Sequence, residues 1–183
     1  MEKSLDPRFL RTRKLIMDAF MKLVVEKEFK DITIKDITQR ATVNRATFYY
    51  HFFDKYDLMD TMLSEDVLQG VLKDVTSHES LTTEALNDIL LSLISLQSGL
   101  ANQCSRSYEA FTTKIETIVK EELGKAFKTL LKQEYPAWTS EKLELHSMMI
   151  SWSIFGMSTK YVKNGHTPSE DLTKDIFNTL LNR

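Results

Sequence analysis

The segment from residue 33 to residue 57 constrains the fold of this chain more than any other stretch of its 183 residues. It reads as two short helices joined by a tight turn, and the second helix is crowded with basic, hydroxyl and aromatic side chains. Thr33 is a favourable cap for the first helix, and Asp36, three residues later, is its capping-box partner. Asn44 is a favourable cap for the second helix. The sequence therefore predicts a helix, a turn and a second helix that begins directly after Asn44.

Apolar positions within this segment indicate how the two helices are held in place. Ile34 and Ile37 lie three residues apart, so they share one face of the first helix. The second helix, from about residue 45 to residue 50 or 51, is too short to be stable alone, so packing must hold it. Phe48 and Phe52 are its expected anchors. A short, packed helix with polar residues facing outward is typical of proteins that insert one helix into the major groove of DNA.

The same segment resembles the TetR family of bacterial transcription regulators, whose pattern runs Thr-x-x-Asp-Ile-Ala-x-x-Ala-Gly-Val-Ser-x-x-Thr-Leu-Tyr-x-x-Phe-x-x-Lys-x-x-Leu. Asn44 stands for Ser, Phe48 stands for Leu, and Thr38 replaces the usual Ala. The main departure is Thr42, where the family usually has Gly, because a β-branched residue takes a positive φ only with strain. The positions that match are Thr33, Asp36, Ile37, Ala41, Val43, Thr47, Tyr49, Phe52, Lys55 and Leu58.

The resemblance implies a set of DNA-contacting residues on and around the two helices. Arg45 is the expected specificity residue, because a guanidinium can bind the O6 and N7 of guanine together. Three positions keep a simpler alternative, with Tyr49 and His51 as packing residues and Lys35 as a solvated charge. The full set is Thr33, Thr47, Tyr49 and Lys55 toward phosphate, Arg45, Ala46 and Tyr50 toward base edges, Lys35 toward either, and Asn44 and His51 beside them.

The net charge of −2 is consistent with DNA binding once it is divided along the chain. Residues 1–56 hold 12 Lys or Arg and 8 Asp or Glu, a net charge of +4. Residues 57–183 hold 12 Lys or Arg and 18 Asp or Glu, a net charge of −6. Because phosphate attraction is local and is screened beyond roughly 10 Å, a basic amino-terminal part can bind DNA while the remainder is acidic.

The rest of the chain reads as helices, so the predicted fold is all-α. We expect an amino-terminal three-helix helix-turn-helix domain and a carboxyl-terminal helical bundle for dimerisation and ligand binding. The predicted domains are residues 1–54 for DNA binding and residues 55–183 for regulation and dimerisation, with a connecting helix at 55–76. Apolar spacing, caps and stop signals predict further helices at residues 7–27, 83–100, 105–132 with a break near Gly124, 140–163 and 168–181.

The resemblance also implies a twofold-symmetric dimer, because one recognition helix reads only a few base pairs and two copies double that reading. In TetR-like proteins the last two helices pair with those of a second copy. The residues expected at this interface are Trp152, Phe155, Gly156, Ile176, Phe177 and Leu180, with intramolecular core as the alternative for each. The family further implies a small, mostly apolar effector inside the body. The residues expected around it are Leu93, Gln97, Cys104, Tyr108, Phe111, Met148 and Trp152, again with plain core as the alternative.

Catalytic, metal and cofactor sites are not expected, because glycine-rich phosphate loops and HExxH and CxxC patterns are absent. His78, His146 and His166 stand apart in the sequence, without paired ligands at metal spacing. No run approaches 18 consecutive apolar residues, the first thirty residues lack a clean apolar signal segment, and the single Cys104 leaves no internal disulfide. The expected location is therefore the cytoplasm, in association with the nucleoid and without a membrane partner.

Together these features predict a non-enzymatic, homodimeric, TetR-like regulator. It is expected to act as a ligand-responsive repressor on a palindromic double-stranded DNA operator. Two alternatives on the same scaffold are an activator and an architectural DNA-binding protein without a small-molecule effector. A module that has lost its DNA contacts is a further alternative, but the retention of Arg45, Thr47, Tyr49 and Lys55 argues against it.

Overall fold

The computed structural model describes residues 6–67, 73, 78 and 80–181. The α-helices of these ranges are α1 (Pro7–Glu26), α2 (Ile34–Ala41), α3 (Arg45–His51), α4 (Lys55–Met62), α5 (Thr83–Gln103), α6 (Tyr108–Glu134), α7 (Ser140–Asn164) and α8 (Glu170–Leu181). One turn of 3₁₀ helix, Phe29–Asp31, lies between α1 and α2, and α4 continues into a π-helical segment, Leu63–Val67. The described residues contain no β-strand, which confirms the all-α prediction.

The first four helices form what we call the head. Helix α1 begins with an Asp6 cap, whose carboxylate accepts a hydrogen bond from the backbone amide of Arg8, and it buries one apolar face. Helix α2 packs mainly against α1. Phe48 and Phe52 are 0% and 2% exposed, and their rings lie 5.9 Å apart, so the expected anchors of α3 are confirmed. The short recognition helix is therefore held by the core of the head rather than by its own hydrogen bonds.

The last four helices form what we call the body. Helices α6 and α7 make the most extensive contact, and α5 packs against both α7 and α8. The buried face of α6 repeats every four residues over more than five turns, which produces a straight apolar ridge against its neighbours. Its members are Phe111, Ile115, Val119, Leu123, Phe127 and Leu131.

The predicted break near Gly124 is wrong, because α6 runs without interruption through this position. A glycine inside a helix costs only about 1 kcal/mol relative to alanine, and the packed ridge outweighs that cost. Close helix packing does not require Gly124 either, because a Cβ atom there would meet the Ser151 hydroxyl at 3.7 Å, an ordinary contact distance.

Most other helix limits agree with the predicted ones. Gly165, with φ 69°, ends α7 at the predicted Asn164–Gly165 stop, and α5 extends three residues beyond its predicted end. The first part of the expected connecting helix is present as α4 and the π-helical segment, whereas residues 68–72 and 74–76 lie outside the described residues. The division into domains at residue 54 stays a prediction. No helix in the described ranges is both long and apolar enough to cross a membrane.

Candidate nucleic-acid interface

A complete capping box holds the amino end of α2. Thr33 Oγ1 accepts a hydrogen bond from the backbone amide of Asp36 (3.1 Å), while the Asp36 carboxylate accepts from Thr33 N (2.9 Å) and Thr33 Oγ1 (2.8 Å). Lys27 Nζ lies 3.1 Å from the other carboxylate oxygen. These bonds lower the pKa of Asp36 to about 2, and the bond from the Thr33 amide contributes most to the shift. The predicted caps are confirmed, whereas a contact between Thr33 and phosphate stays a prediction.

The turn between α2 and α3 has Thr42 at the position where the family pattern usually has glycine. Thr42 adopts the left-handed conformation (φ 56°, ψ 42°), and its amide donates to the Gln39 carbonyl. The Val43 amide donates to the Thr38 carbonyl at 3.0 Å. A β-branched residue is disfavoured in this conformation, so the strain expected from the sequence is concentrated in Thr42.

Helix α3 exposes most of its side chains around its buried anchor, Phe48. Asn44 Oδ1 accepts a hydrogen bond from the Thr47 amide at 2.7 Å, which fixes the start of the helix. Arg45 and Ala46 follow directly and are exposed. Among the described residues, the side chains of Arg45 and Lys35 have no hydrogen-bond or ion-pair partner. Both cations are therefore available to a negatively charged partner.

The aromatic side chains of α3 differ in exposure. Tyr50 is 75% exposed and touches the Phe9 ring only by its edge, while Tyr49 is 52% exposed. His51 instead packs at 4.3 Å (ring centroids) against Phe9, and its buried Nδ1 has no hydrogen-bond partner among the described residues. Burial, and then the nearby Arg13 cation, lower the pKa of His51. This geometry favours the packing role for His51 that the sequence left open.

Arg13 of α1 links the end of α3 to the π-helical segment that continues α4. Its guanidinium lies over the Phe52 ring at 4.7 Å from the centroid and donates to the His51 carbonyl at 3.5 Å. It also pairs with Glu65 of the π-helical segment at 2.8 Å. The sequence did not identify this role, because nothing in the basic run at the start of α1 distinguishes Arg13 from Arg8, Arg11 and Lys14.

Lys55 directs its ammonium into the protein. Nζ donates to the backbone carbonyls of Phe29 (2.9 Å), Lys30 (3.1 Å) and Ile32 (2.9 Å). An ammonium has three N–H groups, so all three are engaged. Burial lowers the pKa of Lys55. Contact of this ammonium with a phosphate stays a prediction from the resemblance, whereas the three internal hydrogen bonds favour a structural role.

Comparison with known proteins agrees with this geometry. A family model described as "Bacterial regulatory proteins, tetR family" matches residues 16–62, which include all of the motif. The match covers about a quarter of the chain and shows the family of its amino-terminal part. That part is a helix-turn-helix DNA-binding domain of the family.

Individual relatives resemble different lengths of this chain. Over 102 residues, 55% of the chain, it is 34% identical to the "Uncharacterized HTH-type transcriptional regulator YxbF" of Bacillus subtilis (strain 168). That match covers 27% of the relative, and a match to a second regulator of the same organism covers 29%, so the chain spans less than a third of the curated relatives it matches.

Solved structures share the fold of the head and the body together. The "Dihydroxyacetone kinase operon activator DhaS" has a TM-score of 0.60 at 19% identity, with 94% of this chain and 96% of that chain covered. The regulator FadR from Bacillus subtilis, in complex with stearoyl-CoA, has a TM-score of 0.55 at 19% identity, with coverages of 91% and 96%. At such identities the likeness shows a shared fold.

The residues predicted to line an effector pocket are divided between buried or half-buried positions and an open groove. Leu93 and Cys104 are fully buried, and Gln97 is buried where its amide donates to the Ser158 hydroxyl at 2.7 Å. Phe111 is also buried and meets Phe29 edge to face. Tyr108, at the start of α6, is half-buried. Their role as pocket residues stays a prediction.

Met148 and Trp152 instead line a groove between α6 and α7. The groove has a volume of about 750 Å³. Lys120 Nζ lies over the Trp152 ring at 4.7 Å from its centroid, so one face of this half-exposed indole contacts a cation. Among the described residues, no three His, Cys, Asp or Glu side chains come together in a way that could hold a metal ion.

The residues predicted at a dimer interface divide into two groups. Phe155 and Phe177 are buried within the chain, at 6% and 0% exposure, which agrees with the core alternative. Trp152, Gly156 and Ile176 are exposed, and Leu180 is half-buried. The exposed members are therefore the ones that can meet a second copy.

Proposed function

We propose that this chain is a homodimeric, sequence-specific regulator that represses transcription at a roughly palindromic operator. The observation that carries the proposal is the presentation of Arg45. It stands exposed and without a described partner at the start of a helix that is anchored by fully buried Phe48. A guanidinium held in this way can enter the major groove and bind guanine with two hydrogen bonds.

An apolar strip on α7 supports the dimer. Leu145, Met149, Trp152 and Gly156 follow one another at spacings of four, three and four residues, and all four are exposed. This spacing keeps the side chains on one helix face and is the repeat by which helices pair. Ile176 adds exposed apolar surface on α8. Pairing of two copies along this strip would place two recognition helices on one operator.

The direction of regulation, repression or activation, and the nature of the effector are part of the same proposal. Repression is the simplest outcome of operator occupancy, whereas the structural neighbour DhaS is named an operon activator, which makes activation the second candidate. The neighbour FadR is described in complex with stearoyl-CoA. This neighbour supports a small, mostly apolar effector for this chain. We further propose that the protein acts in the cytoplasm, in association with the nucleoid.

Selection of duplexes from a random-sequence pool tests the proposal. The wild-type protein is expected to enrich a twofold-symmetric site, and Arg45→Ala is expected to relax base preference at one position in each half-site. The loss of one bidentate contact corresponds to about 1–3 kcal/mol of discrimination at that position. Lys132→Ala, which removes an exposed cation from the body, is the matched control and is expected to leave the selected site unchanged.

Two results would contradict the proposal. Failure of the wild-type protein to enrich any duplex at low salt would exclude sequence-specific DNA binding. An unchanged base profile for Arg45→Ala would remove Arg45 from its assigned role.

A further inference from the structure

The Glu26–Ile32 loop, between the end of α1 and the start of α2, is held from two sides. On the head side, the three hydrogen bonds from Lys55 Nζ fix the carbonyls of Phe29, Lys30 and Ile32. The Phe29 ring also lies 4.7 Å from Lys55 Nζ. Helix α4 therefore determines the path of the second half of this loop.

On the other side, the loop is held by the body. The turn between α5 and α6, residues 104–107, reaches across about 80 positions of sequence to the end of α1. Arg106 Nη1 donates to the Glu26 carbonyl at 3.0 Å, and Ser107 Oγ donates to the Lys27 carbonyl at 3.0 Å. Ser107 is 1% exposed. These bonds fix the first half of the loop.

An aromatic contact reinforces the same junction. Phe29 of the loop lies between Phe111 of α6 and Tyr56 of α4, at ring-centroid distances of 5.7 Å and 5.2 Å. Edge-to-face contacts of this kind are favourable beyond the burial of apolar area alone. The loop thus has polar and apolar contacts with both the head and the body.

The loop in turn positions the helix-turn-helix. The Lys27 carbonyl accepts the hydrogen bond from the Ser107 hydroxyl, and the Lys27 ammonium pairs with the Asp36 carboxylate. Asp36 closes the capping box with Thr33 at the start of α2. A displacement of the loop therefore acts on the amino end of α2, which packs against α3.

We propose that Arg106 and Ser107 are positioning residues that set the placement of the DNA-reading helices through the Glu26–Ile32 loop. This proposal rests on the proposed function, because its effect is on DNA affinity. The 104–107 turn directly follows α5, which carries Leu93 and Gln97 of the predicted effector pocket. A shift in the carboxyl end of α5 moves both hydrogen-bond donors and so reaches the head by a route separate from the connecting helix.

The test measures the affinity of the full chain for a fluorescent duplex enriched by the wild-type protein. The double variant Arg106→Met/Ser107→Ala is expected to bind roughly fivefold more weakly, the scale of one or two lost hydrogen bonds and of typical coupling between sites. The slope of affinity against salt concentration is expected to stay unchanged, because neither side chain is assigned a phosphate contact. Ser105→Ala is the matched control, since Ser105 is exposed in the same turn and has no described partner.

Two further measurements separate positioning from general stabilisation. The single variant Arg106→Met is expected to show part of the affinity loss of the double variant, and Arg106→Lys, which keeps a cationic donor for the Glu26 carbonyl, is expected to recover most of that part. Hydrogen exchange is expected to accelerate at the amides of residues 33–36 in the double variant, while α7 keeps its protection. A stabilising role without positioning would lower the unfolding midpoint and leave the affinity of the folded protein unchanged.

The outcomes are distinguishable from failure of the proposed function. If the wild-type protein enriches no duplex, the proposed function fails and the positioning role fails with it. If the wild-type protein binds and the double variant binds equally well while folded, the positioning role alone is overturned. A reduced salt slope in the double variant would likewise overturn it, because that result would assign Arg106 a direct phosphate contact.

Discussion

Replacing Lys55 by methionine tests whether this lysine stabilises the head or contacts DNA. Methionine keeps most of the aliphatic stem and removes the ammonium that donates to the carbonyls of Phe29, Lys30 and Ile32. Hydrogen bonds with a charged partner each contribute about 1.5–3 kcal/mol, but these three share one half-buried ammonium. We therefore expect the free energy of unfolding to fall by about 2–4 kcal/mol, measured by urea denaturation.

The salt dependence of DNA binding supplies the second measurement for Lys55→Met. Each phosphate contact contributes about 0.9 to the slope of log affinity against log salt concentration, so one contact per copy corresponds to about 1.8 in a dimer. Because the ammonium is engaged within the protein, we expect weaker binding through a loosened head and no measurable change in slope. Titrations at several salt concentrations with one selected duplex provide the comparison.

Lys30→Met is the control for Lys55→Met. It removes the same charge from the loop that Lys55 contacts, but the Lys30 side chain is 74% exposed and pairs only with Glu28 among the described residues. Its effect on stability is expected to stay within about 0.5 kcal/mol. The reasoning would be refuted if Lys55→Met were as stable as wild type and lowered the slope by about 0.9 per copy.

Three further predictions follow from other contacts. Thr42→Gly is expected to raise the free energy of unfolding by about 1 kcal/mol, because glycine adopts the left-handed conformation without strain, whereas Gln39→Gly in the preceding helix is expected to lower it. Urea denaturation of the two variants checks this, and a destabilised Thr42→Gly would exclude strain at the turn. The stabilisation from ionised Asp36 is expected to be complete above its ordinary pKa of 3.8 and to be lost as the pH falls through about 2, because the folded-state pKa is the lower one. Asp36→Asn is expected to abolish that part of the acid dependence, so an unchanged pH profile would contradict the assignment. Trp152→Glu is expected to convert the dimer into single copies in sedimentation velocity, and a dimer of unchanged stability would place the interface elsewhere.

Local signals predicted the head well. Capping by Thr33 and Asn44 depends on residues within three positions of each other, so the motif is legible in the sequence itself. The anchors Phe48 and Phe52 are also local, because they are four residues apart on one helix face. At these positions the residue types and their spacing were enough to predict the local structure.

Long-range contacts could not be predicted in the same way. Family position identified Lys55 but not the carbonyls that lie 23 to 26 residues before it in the chain. Arg106 and Ser107 form part of no sequence motif, and their partners are backbone oxygens 80 residues away, which no side-chain pattern encodes. Gly124 was misread because the cost of one glycine is small beside the packing of an entire helix face.

The two donors from the 104–107 turn have a consequence for chimaeric proteins. An exchange of heads between relatives at the connecting helix would leave the Glu26 and Lys27 carbonyls facing a foreign turn, even if every DNA-contacting residue were transplanted correctly. Grafts that carry the matching turn together with the new head should retain operator affinity better than grafts cut at a single point. In this architecture, the part of the protein that reads DNA is joined to the rest at two separate places in the chain, the connecting helix and the 104–107 turn.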